Sequence, residues 1–145
     1  MAIFLVQHGK CFDEKTDPDR HLTLEGRADI TRIAQQALEN GITVSTVYHS
    51  GKLRAQQTAE LFAMHLKGNQ VDTMVGINPL DDVEKFVNNH RLADRSMIVG
   101  HLPFMERLTS YLLTGQQEPT IVKFQNACLV CLDLNENHNW HVKWT

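Results

Sequence analysis

The chain has 145 residues, 42 % apolar and 21 % charged, which is the balance of one folded domain rather than a disordered chain. Its net charge is −3 with neutral histidines. It therefore lacks the broad basic surface expected of proteins that bind nucleic acid or an anionic membrane. No apolar stretch reaches the roughly 20 residues of a membrane span, and the first residues lack the pattern of a signal peptide. We therefore expect a cytoplasmic protein.

The first half of the chain alternates predicted strands and helices. Residues 2–6 form a continuous apolar run, typical of a strand covered on both faces. A helix is predicted over residues 23–40, with Thr23 as its N-terminal cap and a glycine directly after it. A second strand over residues 45–49 leads into another amphipathic helix, for which Ser50 is a candidate cap.

The second half continues the alternation and closes with a hairpin. A weaker strand is predicted over residues 71–75, followed by a short helix around Phe86. Residues 96–100 form another apolar strand, and Pro103 is suited to open the helix after it. Two further strands flank a polar turn at residues 135–139, a pattern that indicates a hairpin.

This order of elements predicts an α/β fold. We expect residues 1–145 to form a single three-layer α/β/α domain whose sheet is mostly parallel, with an antiparallel C-terminal hairpin. The three cysteines are few and odd in number, which is typical of a reducing compartment. Cys128 and Cys131 form a C-x-x-C inside an apolar run, where small buried side chains are a better interpretation than a zinc site.

Three of the predicted strands end in residues that are unusual for a buried strand, and those at the end of the second strand are Tyr48, His49 and Ser50. Gln7, His8 and Gly9 end the first strand, and His101 follows the strand over residues 96–100. Arg54 lies one turn into the helix after the second strand. Each of these residues taken alone is more often a solvated or hydrogen-bonded surface residue than a functional one. The carboxyl ends of parallel strands meet at one edge of a sheet, where ligands bind, so their joint placement indicates a site.

The residue types at this edge suit the handling of an anion. Helix N-termini offer free N–H groups and the positive end of a dipole. Arg54 adds a planar fork that matches phosphate oxygens. A neutral imidazole is a nucleophile that can take a phosphoryl group, and Gly9 leaves room for a tetrahedral group to approach the ring of His8.

Four motifs in the same order resemble the histidine phosphatase superfamily, also called phosphoglycerate-mutase-like. They match the family patterns L-x-R-H-G, R-x-L-T-x-x-G, S-P-x-x-R-A-x-x-T-A and V-G-H-x-P. In this chain they read LVQHG at residues 5–9, RHLTLEG at 20–26, SGKLRAQQTA at 50–59 and VGHLP at 99–103. The short chain most resembles the small SixA-type phosphohistidine phosphatases.

The resemblance implies a role for each matched residue. His8 would be the nucleophile that carries the phosphoryl group, and water would then release phosphate. Arg54 and His101 would hold the phosphoryl oxygens, and His101 would act best when protonated. The resemblance implies no metal ion and no other cofactor.

The chain departs from the family pattern at two positions. Gln7 stands where the family has arginine, and glutamine lacks the charge and the fork. Loss of a charge-assisted phosphate contact costs on the order of 1.5–3 kcal/mol, or roughly one to two decades in rate. Arg20 either restores that charge or is a solvated loop residue. Gly51 replaces a usual proline, which we expect to be harmless.

The substrate depends on the leaving group. Phosphate esters need a general acid, and Asp81 and Asp82 are candidates, although Asp82 is better interpreted as a helix cap. A phosphohistidine substrate needs less help because imidazole leaves easily. Three hypotheses follow: a phosphatase for a phosphohistidine-bearing protein, a phosphomonoesterase for a small phosphorylated substrate, or a catalytically weak phosphate-binding domain. The first is favoured.

Overall fold

A computed structural model of the chain describes residues 1–144, over which it has six strands and four helices. In chain order they are β1 (Ala2–Gln7), α1 (Leu24–Glu39), β2 (Thr46–His49), α2 (Leu53–His65), β3 (Gln70–Thr73), α3 (Val83–Asn89), β4 (Ser96–Gly100), α4 (Phe104–Thr114), β5 (Leu129–Leu134) and β6 (Trp140–Trp144). The predicted order of elements is confirmed. None of the helices over this part of the chain has both the length and the apolar character to cross a membrane.

The strands form one mixed sheet in the order β3-β2-β4-β1-β5-β6. Strands β1 to β4 pair in parallel, whereas β5 is antiparallel to both β1 and β6. The predicted α/β fold with an antiparallel C-terminal hairpin is therefore confirmed. Strands β1 and β4 lie in the middle of the sheet, which places their carboxyl ends side by side.

Helices cover both faces of the sheet, as the continuous apolar runs predict. Phe4 and Val6 of β1 pack in the core cluster that contains the buried residues of α1 and α2. Ile3 and Leu5, which point to the opposite face, pack in the cluster formed with α3 and α4. Cys131 is buried in the α1 and α2 cluster, and Cys128 packs against the other one.

Two of the predicted caps are present and one is not. Thr23 Oγ1 accepts a hydrogen bond from Gly26 N at the start of α1, at 2.9 Å. Asp82 Oδ1 accepts from Lys85 N at the start of α3, at 3.1 Å. Ser50, however, does not cap α2. That helix begins at Leu53 after Lys52, whose side chain makes no capping bond, because the chain first turns through Gly51, at a φ of 94°.

Candidate active site

Sheet register brings the two candidate histidines together. Gln7 of β1 pairs with Gly100 of β4, so His8 and His101 are neighbours just beyond the paired strands. The backbone N–H of His8 donates to Gly100 O at 3.0 Å. The two imidazole rings lie with their centroids 5.1 Å apart and their planes at 52°. Two histidines separated by most of the chain thus share one edge of the sheet.

The surroundings of His8 decide which ring nitrogen is free. Nδ1 lies 2.8 Å from Gly9 O. Because a carbonyl oxygen can only accept, Nδ1 carries the proton and Nε2 keeps its lone pair. Burial lowers the pKa of His8 below 6.5, the positive charges of Arg54 and Arg20 lower it further, and the bond to Gly9 partly opposes them. His8 is therefore a neutral imidazole at neutral pH.

The loop after β1 is held against α1 and α2. Gly9 N donates to Thr58 Oγ1 at 2.9 Å, and the same hydroxyl donates to Arg54 O at 2.8 Å. A Cβ atom at Gly9 would lie 2.6 Å from Ile30 Cδ1, so a larger residue would force the end of the Ile30 side chain to move. Gly9 therefore lets the loop pack closely on α1, in addition to any room it leaves for a ligand.

His101 is buried and neutral. Its side chain is 2 % exposed, and Nε2 lies 2.6 Å from Ser50 Oγ. Burial, followed by the positive charges around it, lowers the pKa of His101 to about 3. The imidazolium expected from the family resemblance is thus not the form present in the free protein. A phosphoryl dianion close to the ring would raise the pKa again, because an opposite charge favours the protonated form.

Two arginines approach the histidines. Arg54 is the second residue of α2, and burial together with the charge of Arg20 lowers its pKa. Arg20 lies on the loop between β1 and α1 with a left-handed backbone at a φ of 54°. Its Nε donates to Phe12 O at 3.1 Å and its Nη2 to Cys11 Sγ at 3.4 Å. The charge of Arg20 lowers the pKa values of His8, Arg54 and His101, and its contact with a bound phosphoryl group stays a prediction.

Unsatisfied polar atoms are concentrated at this site. Among the side chains described, those of residues 1–143, three buried atoms lack a hydrogen-bond partner: Gln7 Oε1, Arg54 Nε and His101 Nδ1. A buried polar group without a partner costs roughly 1–3 kcal/mol, so proteins avoid such groups unless they have a use. All three belong to residues that the sequence predicts at this edge of the sheet. The arrangement is that of a site prepared for a polar ligand.

Asp81 and Asp82 are engaged in their own loop. Asp81 Oδ2 accepts from Asn78 N at 2.8 Å, and Asp82 caps α3. Both line a cleft of about 510 Å³ beside Lys85 and His90. Neither Asp81 nor Asp82 is among the charged groups that shift the pKa values of His8 and His101, and those groups are all positive. The acid role of Asp81 or Asp82 stays a prediction.

Three residues around the histidines have no role at the site in the sequence-based prediction. Ser50 was predicted as a cap but contacts His101. Thr58 is fully buried and supports Gly9; its position among the alanines on the apolar face of α2 was a usable signal. Asn126, whose Nδ2 donates to His8 O at 3.2 Å, comes from the distant segment before β5. Nothing in the sequence around Asn126 indicates that contact.

The mixed sheet has two central parallel strands that end in neighbouring histidines, with an arginine at the start of a nearby helix. This arrangement defines an α/β protein with a candidate anion site at the carboxyl ends of its parallel strands. The chain belongs to the histidine phosphatase superfamily, branch 1, whose sequence profile matches residues 3–81.

Solved structures share the fold over nearly the whole chain. The protein histidine phosphatase SixA complexed with tungstate is 24 % identical, with a TM-score of 0.82 over 99 % of this chain and 95 % of that one. A protein from Agrobacterium tumefaciens, provisionally named phosphohistidine phosphatase SixA, is 19 % identical, with a TM-score of 0.77 over 97 % and 94 %. A provisionally named α-ribazole-5′-P phosphatase from Escherichia coli K-12 MG1655 is 16 % identical, with a TM-score of 0.75 over 99 % and 94 %. No curated protein sequence matches the chain.

Proposed function

We propose that this protein is a metal-independent phosphatase that transfers a phosphoryl group to His8 and then to water. The observation that carries the proposal is the pairing of a neutral His8, protonated on Nδ1, with unpartnered buried polar atoms of Arg54 and His101. The first supplies a nucleophilic nitrogen lone pair. Arg54 Nε and His101 Nδ1 supply hydrogen-bonding groups that have no partner among the described residues and are available to a phosphoryl group.

The reaction proceeds in two displacements. The lone pair on His8 Nε2 forms a bond to phosphorus, while the bond to the leaving atom breaks and its electron pair departs with that atom. A water molecule then attacks the phosphorus, the P–N bond breaks, and its electrons return to Nε2 as orthophosphate leaves. Arg54 and Arg20 balance the charge on the three phosphoryl oxygens in both steps, and His101 donates a hydrogen bond to them.

We further propose that the phosphoryl donor is a phosphohistidine on a protein. The charged side chains that act on the two imidazoles are all cationic, and Asp81 and Asp82 bond to backbone N–H groups of their own loop. This arrangement suits a leaving group that needs little protonation. Imidazole is such a group, because its protonated form has a pKa near ~6.5. The shared fold with a protein histidine phosphatase supports the same substrate class.

The decisive experiment compares two substrates with the purified protein: a phosphohistidine peptide and glycerol phosphate, an ester whose alkoxide leaving group needs a general acid. We expect faster turnover of the peptide. If the ester is the better substrate and its turnover collapses in Asp81→Asn or Asp82→Asn, the protein is instead a phosphomonoesterase for small molecules. Asparagine caps a helix as well as aspartate does, so Asp82→Asn tests acidity and leaves the cap in place. If neither substrate turns over while phosphate still binds, the protein is a phosphate-binding domain.

The nucleophile is tested separately by trapping the intermediate. The protein is incubated with labelled phosphohistidine peptide and the reaction is quenched in alkali. Acid-labile phosphate should then remain on the wild-type protein and not on His8→Ala. His21→Ala is the matched control, since His21 is exposed and its ring bonds to Asp17. Label recovered on any residue other than His8 would refute the assignment.

A further inference from the structure

A neutral imidazole carries one proton on two nitrogens, and the nitrogen that carries it decides what His101 can offer a phosphoryl group. With the proton on Nδ1, this unpartnered nitrogen is a hydrogen-bond donor. With the proton on Nε2, Nδ1 is a lone pair that would repel phosphoryl oxygens. Nδ1 is one of the three buried atoms without a partner, whereas Nε2 contacts Ser50. Ser50 is thus the group in a position to select the tautomer.

The surroundings of the Ser50 hydroxyl favour donation to His101. Ser50 Oγ accepts a long hydrogen bond from Lys52 N at 3.4 Å, which leaves its own proton to be donated. Its distance of 2.6 Å to His101 Nε2 is within the range of an O–H donor and shorter than N–H groups usually allow. Both features favour a hydroxyl proton that points at Nε2, an arrangement that leaves the ring proton on Nδ1.

The turn that carries Ser50 is itself held in place. Gly51 N donates to Nδ1 of His49 at 3.0 Å, and the His49 side chain is 5 % exposed. Gly51 has a φ of 94°, a conformation that proline cannot adopt, and proline would also lack the donating N–H. Gly51 thus forms a hydrogen bond to the buried His49, and this bond fixes the backbone directly after Ser50.

We propose that Ser50 is a positioning residue that holds His101 with its proton on Nδ1, so that His101 enters the reaction as a ready hydrogen-bond donor to the phosphoryl group. The role in turnover rests on the proposed phosphatase function. The tautomer does not, because it is a property of the free protein.

Two-bond ¹H–¹⁵N spectra of the histidine-labelled full-length protein at neutral pH measure the tautomer directly. His101 is assigned from the signal that disappears in His101→Gln. We expect the proton on Nδ1 in the wild type, a shift towards Nε2 in Ser50→Ala, and recovery in Ser50→Thr, which keeps the hydroxyl. A wild-type His101 protonated on Nε2 overturns the proposal even if the variants fail to fold. An unchanged tautomer in folded Ser50→Ala also overturns it.

Binding of inorganic phosphate, followed by calorimetry, tests the consequence. Affinity should fall about tenfold in Ser50→Ala, the typical worth of one hydrogen bond to a charged group, and return in Ser50→Thr. Equal affinity in the wild type and Ser50→Ala would show that the donor on Nδ1 does not reach the phosphoryl oxygens, which contradicts the proposal. A wild type with the expected tautomer and affinity but no turnover would refute the phosphatase function and leave the role of Ser50 in place.

Discussion

At the scale of single residues, Gln7 stands where the resembling family motif has arginine. The amide lies at the end of β1 next to His8, and its Oε1 is buried without a partner among the described residues. An amide provides either an acceptor or a donor at that position, but neither is charged. Arg20, on the neighbouring loop, bonds to Phe12 O and Cys11 Sγ. Arg54 of α2 supplies one positive charge beside the histidines, and a second charge from Arg20 on the phosphoryl group stays a prediction.

Replacing Gln7 with arginine tests whether that arrangement limits the reaction. Gln7→Arg should raise kcat/KM on phosphohistidine peptide by about tenfold, since a charge-assisted bond to phosphate is worth roughly 1.5–3 kcal/mol. Gln7→Lys is the control that adds charge without the planar fork. Steady-state kinetics on both variants separate the two contributions. An unchanged or lower rate in Gln7→Arg would mean that Arg20 already supplies the charge.

At the scale of elements, the site depends on the hydrogen bonds that hold the loop after β1 against helix α2. Thr58 links the two, because its hydroxyl accepts from Gly9 N and donates to Arg54 O within the helix. The side chain is fully buried, so the N–H of Gly9 has no access to solvent as a substitute. One hydroxyl thus fixes the residue next to His8 relative to the helix that carries Arg54.

Thr58→Val keeps the volume of the side chain and removes the hydroxyl. The free energy of unfolding should fall by about 1–3 kcal/mol, the cost of leaving a buried N–H unsatisfied, and kcat should fall because His8 is less firmly placed. Urea unfolding and steady-state kinetics measure the two effects. Thr58→Ser, which retains the hydroxyl, should lose less of both. If Thr58→Val is as stable as the wild type, the hydrogen bond to Gly9 is not a structural support.

At the scale of the whole molecule, buried neutral histidines make folding sensitive to acid. Burial lowers the pKa values of His8, His49 and His101 below 6.5, that of His101 to about 3. The unfolded chain therefore takes up these protons first as the pH falls. Above about pH 6.5, these three histidines make their full contribution to the free energy of unfolding. It is lost progressively as the pH falls towards about 3, where His101 also becomes protonated in the folded protein.

The free energy of unfolding should therefore decrease steadily when the pH is lowered from 6.5, and less steeply in His101→Gln. Glutamine cannot titrate and retains groups that can bond to Ser50. Urea unfolding at a series of pH values between 7 and 4 measures both slopes. Equal slopes in the two proteins would show that His101 is not held neutral by the fold.

Much of this organisation could be inferred from the order of residues along the chain. Strand and helix positions follow from local periodicity, and Thr23 and Asp82 were recognisable caps because a cap acts within three residues of itself. The histidines at the strand ends could be assigned to one edge of the sheet because parallel strands with helical connections leave few alternatives. Local pattern and general topology were sufficient for the fold class and for the identity of the candidate residues.

The chemical state of those residues required the folded molecule. Ser50 and His101 are 51 positions apart, and Gly9 and Thr58 are 49 apart. No local pattern indicates which nitrogen of His101 meets a hydroxyl, that burial keeps this ring neutral, or that Arg20 approaches Arg54. Hydrogen bonding and desolvation act over a few ångströms in space regardless of chain separation, so only the tertiary structure decides protonation, tautomer and support at this site.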